Sequence, residues 1–146
     1  MRLSVNIGLI YAELPYADRV GAVHDAGFSA VESFWPDADH RKDLVRAVKK
    51  YNVAVALINV NEGDYRAGDR GFAAHPRYRE WWRSNVREAV SLAGDVGCAN
   101  LNVLTGYFDP VLPEDERLLS PKSMSFKTPR RSKIKLSSLM SRWTTP

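Results

Sequence analysis

Cysteine is almost absent: Cys98 stands alone among 146 residues. A lone thiol excludes an intramolecular disulfide and suits a reducing cytoplasm, where the protein is expected. No apolar run approaches the roughly 18 residues that cross a bilayer, so no membrane association is expected. The apolar stretch at residues 3–9 is interrupted by Asn6 and followed by no small-residue cleavage site, so it does not read as a signal peptide. No glycine-rich phosphate loop follows that stretch, where Gly8 is the only glycine, and this weakens a dinucleotide-binding reading. His24, His40 and His75 lack the spacing of a metal pair, with each other or with a carboxylate; all three are expected at the surface.

One further absence divides the chain. Residues 120–146 contain no Asp or Glu, yet hold seven Lys/Arg and ten Ser/Thr. The first 119 residues hold 14 Lys/Arg against 17 Asp/Glu. The net charge of +4 and the pI near 9.3 therefore belong to the tail alone. Residues 1–119 read as one folded domain, and 120–146 as an irregular basic tail.

Within the body, apolar runs alternate with amphipathic stretches. Residues 3–9, 28–34, 53–60 and 99–104 read as strands, nearly continuous in apolar residues. Tyr16, Val20 and Val23 mark a helix that opens at Leu14-Pro15 and ends at Gly27, a residue free to take the left-handed conformation. Leu44, Val45 and Val48 mark a second helix over 42–50. Pro76 starts a third that runs to Val96, with Trp82, Val86, Ala89, Val90 and Ala93 on its apolar side. A fourth opens near Pro113, where Glu114, Asp115 and Glu116 suit the positive helix end. Residues 61–75 are too polar and glycine-rich for either regular state. The alternation predicts an α/β fold of parallel strands covered by helices, joined by right-handed crossovers. Four such units make either a small doubly wound sheet or half of an eight-stranded barrel.

In both architectures, ligands bind at the C-terminal ends of the strands. Those ends offer Glu32, Asn59 and the loop beyond, while Asn6 and Asn102 lie within strands one and four. A carboxylate at Glu32 is costly to bury unless paired or used. A salt bridge to an arginine would explain it, but its position favours a ligand. The loop gathers Glu62, Asp64, Arg66, Asp69 and Arg70 among Gly63, Gly68 and Gly71, a set suited to closing over a small polar molecule. A planar guanidinium at Arg70 suits a carboxylate gripped through two hydrogen bonds. A solvated surface loop would have the same composition. Cys98 beside Gly97 reads as a small buried residue rather than a nucleophile. Trp81 and Trp82 are expected to divide between core and rim, and Trp35, just after strand two, to wall a pocket.

The segment Gly63-Asp64-Tyr65-Arg66-Ala67-Gly68-Asp69-Arg70-Gly71 resembles a characteristic loop of the hydroxypyruvate isomerase family, within the xylose-isomerase-like barrels. Ser4-Val5-Asn6, Gly27-Phe28, Val31-Glu32, Pro36 and Leu101-Asn102-x-Leu104-x-Gly106 extend the likeness over residues 2–119. Ile58 departs from the pattern, since some members carry His before the Asn of strand three. The resemblance implies the N-terminal half of a (β/α)8 barrel. It also implies a reaction that shifts a proton between adjacent carbons of a small hydroxy-keto acid or sugar through an enediol. Glu32, Asn59, Asp64, Asp69 and Arg70 are then expected to bind substrate, with Arg70 foremost for its carboxylate. The family's two acid/base glutamates come from strands five and eight, the first within Glu-Pro-x-Asn. No catalytic residue is therefore assigned here, and little activity is expected. The superfamily's usual metal ligands also lie in that second half, so a divalent metal is expected only in full-length relatives. Another sugar isomerase or epimerase of the same barrel is the alternative. An open half-barrel would expose strands one and four as edges that invite self-association.

The resemblance calls for a strand ending in Glu-Pro where the tail stands. A one-base shift of frame restores it. Trp143 followed by Thr144 then reads as Asp with no freedom, and Met140 followed by Ser141 reads as Val or Glu. Allowed codons for residues 136–146 spell Ile-Glu-Pro-Asn-Val-Ala-Met-Asp-Asn-Pro. The tail is thus expected to be the product of a frame change near Ser120. The competing account is a genuine basic arm for nucleic acid or anionic lipid, which this reading disfavours. Sequencing the coding DNA is expected to show an intact Glu-Pro frame overlapping the tail. Its absence would return the +7 charge to functional consideration.

Overall fold

The computed structural model describes residues 3–73, 75–106 and 124–127. In chain order they form β1 (Val5–Asn6), α1 (Tyr16–Asp25), β2 (Ala30–Ser33), α2 (Ala38–Tyr51), β3 (Ala54–Asn59), a 3-10 turn (Pro76–Tyr78), α3 (Arg79–Val96), β4 (Asn100–Val103) and β5 (Met124–Lys127). The strands lie in the order β1-β2-β3-β4-β5. The first four are parallel, each joined to the next through a helix, as in half of an α/β barrel.

The helix ends follow local chemistry. Pro15, with φ fixed near −52°, leads into α1, and Gly27 at φ +86° ends that segment. The second helix begins four residues earlier than apolar spacing suggests. Its start is set by Asp37, whose carboxylate accepts the His40 N–H at 2.9 Å. Asn52 ends α2 in the left-handed region, and Gly97 does so for α3.

One sheet face is apolar and buried against the helices. Val5, Val31, Val55, Ile58, Leu101 and Val103 meet Val20, Val23, Leu44, Val48, Val86, Ala89 and Leu92. A bulge shapes this packing: Val31 pairs with Val55, but Glu32 pairs with Leu57, leaving Ala56 as the extra residue. Val55 and Ile58, three apart rather than two, can therefore both enter the core. The row Asn6–Glu32–Leu57 and the adjacent pair Asn59–Asn102 alternate with these buried positions and belong to the opposite face. In a closed barrel that face is the interior.

Two expectations need correction. Residues 124–127 lie in the segment expected to be irregular, yet they form a strand antiparallel to β4, with Asn100 opposite Lys127 and Val103 opposite Met124. The unpaired backbone groups along β4 give a physical reason, since pairing satisfies them. Consequently β4 is not an open edge; among the described residues, the sheet ends at β1 and β5. The helix expected near Pro113 and the rest of the tail lie outside the described residues. Leu44 is fully buried between α2 and the sheet, so Leu44→Ala should lower unfolding stability by about 3 kcal/mol in a denaturant titration. Leu9→Ala, at a position 64% exposed, should change it by less than about 0.5 kcal/mol.

Candidate functional site

The loop after β3 is organised by its own acids. Asp64 accepts the N–H groups of Arg66 and Ala67 through Oδ1, at 2.9 and 3.0 Å. Asp69 accepts the Asp64 N–H through Oδ2 at 2.8 Å, and the Asp69 N–H returns to the Asp64 carbonyl at 3.0 Å. Each acid thus uses one carboxylate oxygen to fix the turn. Asn61 ties the loop to α3, donating to Asn85 Oδ1 at 2.7 Å. Gly71 closes it: its N–H reaches the Glu62 carbonyl at 2.9 Å, and it bridges Thr105 beyond β4. At φ +90° and pressed against the Leu104 carbonyl, this position has no room for a side chain.

Arg70 is held by three contacts. Its Nη1 donates to the carbonyls of Tyr65 (3.1 Å) and Asp69 (2.7 Å), and its guanidinium lies 3.9 Å from the Tyr65 ring centroid. The Tyr65 ring stacks in turn on Phe34 at 5.1 Å. Phe34 occupies the space a side chain on Gly8 would need, so the loops after β1 and β3 meet over the end of β2. Among the described residues, Arg70 has no carboxylate partner.

A second cluster lies at the ends of β3 and β4. Asn102 Nδ2 donates to Asn59 Oδ1 at 2.9 Å, leaving the Asn59 amide to serve Glu62. Asn59 is 8% exposed and Glu62 only 3%. Burial pushes the Glu62 carboxyl above its ordinary value of 4.5, although its own N–H, the Trp35 N–H and Asn59 partly offset this by steadying the charge. Its Oε2 is buried with no hydrogen-bond partner among the described residues.

The expected site residues thus occupy three places. Asp64, Asp69 and Arg70 share the loop, and Asn59 joins Asn102 and Glu62. Glu32, placed within β2 rather than after it, accepts a short hydrogen bond from Ser4 Oγ and not the salt bridge considered above. Glu62 was named in the loop cluster but given no role; the available signal was an acid three residues beyond the strand-ending Asn59. Trp35 is half-buried against the core, with the Arg41 guanidinium 4.4 Å from its ring. Cys98 is buried and its thiol pushed up by that burial, which suits a packing role. His40 stacks on Tyr16 at 4.3 Å and pairs with Asp37 at 2.9 Å. Among the described residues, no three His, Cys, Asp or Glu side chains are grouped to hold a metal ion. A single buried carboxylate among amides does not fit a divalent cation.

Parallel strands under a helix layer, with polar groups gathered at their C-terminal ends, define a barrel-type α/β protein. Residues 20–124 match the xylose isomerase-like TIM barrel family, and the chain belongs to that family. It is 36% identical over 107 residues to the Xenopus laevis protein named "Putative hydroxypyruvate isomerase", covering 73% of this chain and 39% of that one. It is 31% identical over 105 residues to a 2-oxo-tetronate isomerase of Cupriavidus necator, covering 72% and 40%. The crystal structure of AP endonuclease, family 2 from Brucella melitensis matches with a TM-score of 0.70 and 28% identity, over 80% of this chain and 45% of that one. The chain therefore spans about two fifths of the length of these curated relatives.

The raised Glu62 carboxyl has a consequence for stability. The folded state holds this proton more tightly than the unfolded chain, so folding is penalised as pH rises from the unfolded value through the folded one. Glu62→Gln should match the wild type near about pH 4 and exceed it near about pH 8, in urea midpoints measured at both. A parallel pH dependence in the two proteins would remove Glu62 as the source.

Proposed function

We propose that this chain carries the substrate-gripping part of an isomerase acting on small hydroxy-keto acids, hydroxypyruvate foremost. The observation that carries this reading is Arg70: a guanidinium fixed by two carbonyls and an aromatic face, with no acid of its own among the described residues. Such a group is prepared for an external carboxylate, and little side-chain freedom remains to be lost on binding. The names of the relatives support the same chemistry, since hydroxypyruvate and 2-oxo-tetronate both carry a carboxylate beside a ketone.

In this reading Arg70 orients the acid end of the substrate. Asn59 and Glu32, on the sheet face away from the helices, meet its hydroxyl and carbonyl groups. Asp64 and Asp69 contribute by fixing the loop that aims Arg70. Moving the proton between the adjacent carbons needs a carboxylate free to accept it. Glu32 is engaged by Ser4, and the family resemblance assigns the acid/base glutamates to strands beyond β4. We therefore infer binding with little turnover for the 146 residues as they stand. A different sugar isomerase or epimerase would keep the same scaffold and differ in what Arg70 grips. Cytoplasmic residence is proposed from the single thiol, Cys98, and pairing with a second copy from the short β1 edge.

Hydroxypyruvate titrated into the purified protein should bind, and Arg70→Ala should weaken that binding by about tenfold or more. Arg70→Lys should recover only part, because the ammonium lacks the planar fork. Isomerisation followed by proton NMR should stay at background. Equal affinity in Arg70→Ala, or turnover by the wild-type chain, would refute the corresponding half of this reading.

A further inference from the structure

The least satisfied polar atom described at the strand ends is Glu62 Oε2. A buried oxygen without a hydrogen bond is costly, and native structures retain few of them. The surroundings are specific. The Asn102 amide donates to Asn59 at 2.9 Å, and Asn59 and the Trp35 N–H both serve the Glu62 carboxyl. The Trp35 N–H beyond β2 and Asn59 at the end of β3 thus steady one carboxyl group, Asn102 of β4 holds Asn59, and among the described residues Oε2 is left unpartnered. The Glu62 backbone is clamped as well, by the Gly71 N–H on its carbonyl at 2.9 Å. This carboxyl lies at the C-terminal end of the sheet, where ligands bind in barrels of this kind.

We propose that Glu62 is a ligand-contacting residue: its Oε2 hydrogen-bonds a carbonyl or hydroxyl oxygen of a small hydroxy-carbonyl ligand, and Asn59 and Asn102 position it. Oε2 meets such an oxygen as a donor, because a buried carboxyl in this setting retains its proton at pH values where an exposed glutamate has lost it. The groups named against it, the Asn59 side chain and the backbone of Trp35 and Gly71, carry no charge to reverse that preference. Arg70 would take the acid end of the ligand and Glu62 the ketone or hydroxyl end. For the identity of the ligand this inference rests on the keto-acid reading above; the contact at Oε2 does not need it.

The test follows the Glu62 side-chain carboxyl carbon by carbon-13 NMR in the full chain, assigned by its loss in Glu62→Gln. Two probes are added separately: hydroxypyruvate, and dihydroxyacetone, which has the hydroxy-ketone but no carboxylate. Both should shift the Glu62 signal. Glu62→Gln, whose amide can donate from the same place, should bind hydroxypyruvate within about threefold of wild type, whereas Glu62→Ala should lose about tenfold. Wild-type affinity should fall as Glu62 deprotonates, and that of Glu62→Gln should stay level over the same range. If Glu62→Ala does not fold, the NMR shifts and the glutamine variant decide alone. A Glu62 signal unmoved by both probes, or a pH profile identical in wild type and Glu62→Gln, overturns the proposal. A Glu62 response that persists while Arg70→Ala leaves hydroxypyruvate binding unchanged would sink the carboxylate grip and keep this contact. A response at Arg70 alone would do the reverse.

Discussion

The register step between β2 and β3 governs both the core and the site. In a regular parallel pair, two residues along one strand match two along its neighbour, and a side chain's face is fixed by parity. Here Val31 faces Val55, and the next residue, Glu32, faces Leu57. The inserted Ala56 changes parity once, partway along β3. Val55 and Ile58 can then both enter the core, and Asn59 falls beside Asn102 on the opposite face. Without that step Asn59 would share a face with Val55. The amide chain that ends at Glu62 would then have no starting point.

The charged residues of the loop divide their work by type. Asp64 and Asp69 are short, accept only, and turn back onto nearby N–H groups. Arg70 is long, donates only, and reaches two carbonyls and a ring instead. The result is a loop whose acids are partly occupied by its own backbone and whose most restrained cation, Arg70, meets no carboxylate among the described residues.

Long-range order was more legible in the sequence than local detail. Near-continuous apolar runs at Val53–Val60 and Leu101–Leu104 mark buried parallel strands, and helix periodicity locates α1 and α3 well. The early start of α2 depends on one capping contact at Asp37, which apolar spacing does not register. The strand at Met124–Lys127 depends on what β4 leaves unpaired, a property of the sheet and not of those four residues. In the loop, Arg70 stood out in the sequence because the contacts that hold it, Tyr65 and Asp69, are close in the chain. The setting of Glu62 did not, because its burial and its neighbours Trp35 and Asn59 come from segments that lie apart in the chain. A carboxylate in a polar loop looks ordinary until its surroundings are known.

The antiparallel β5 also limits what the sheet can become. A closed barrel of this family needs a parallel neighbour along the outer side of β4. The backbone groups that would receive such a neighbour are those now engaged from Asn100 to Val103 by a strand running the other way. The two arrangements draw on one set of donors and acceptors, so they are mutually exclusive. Any further strand that joins β4 on that side must first displace Met124–Lys127, and while β5 holds its place the outer edge of the sheet there is β5's own.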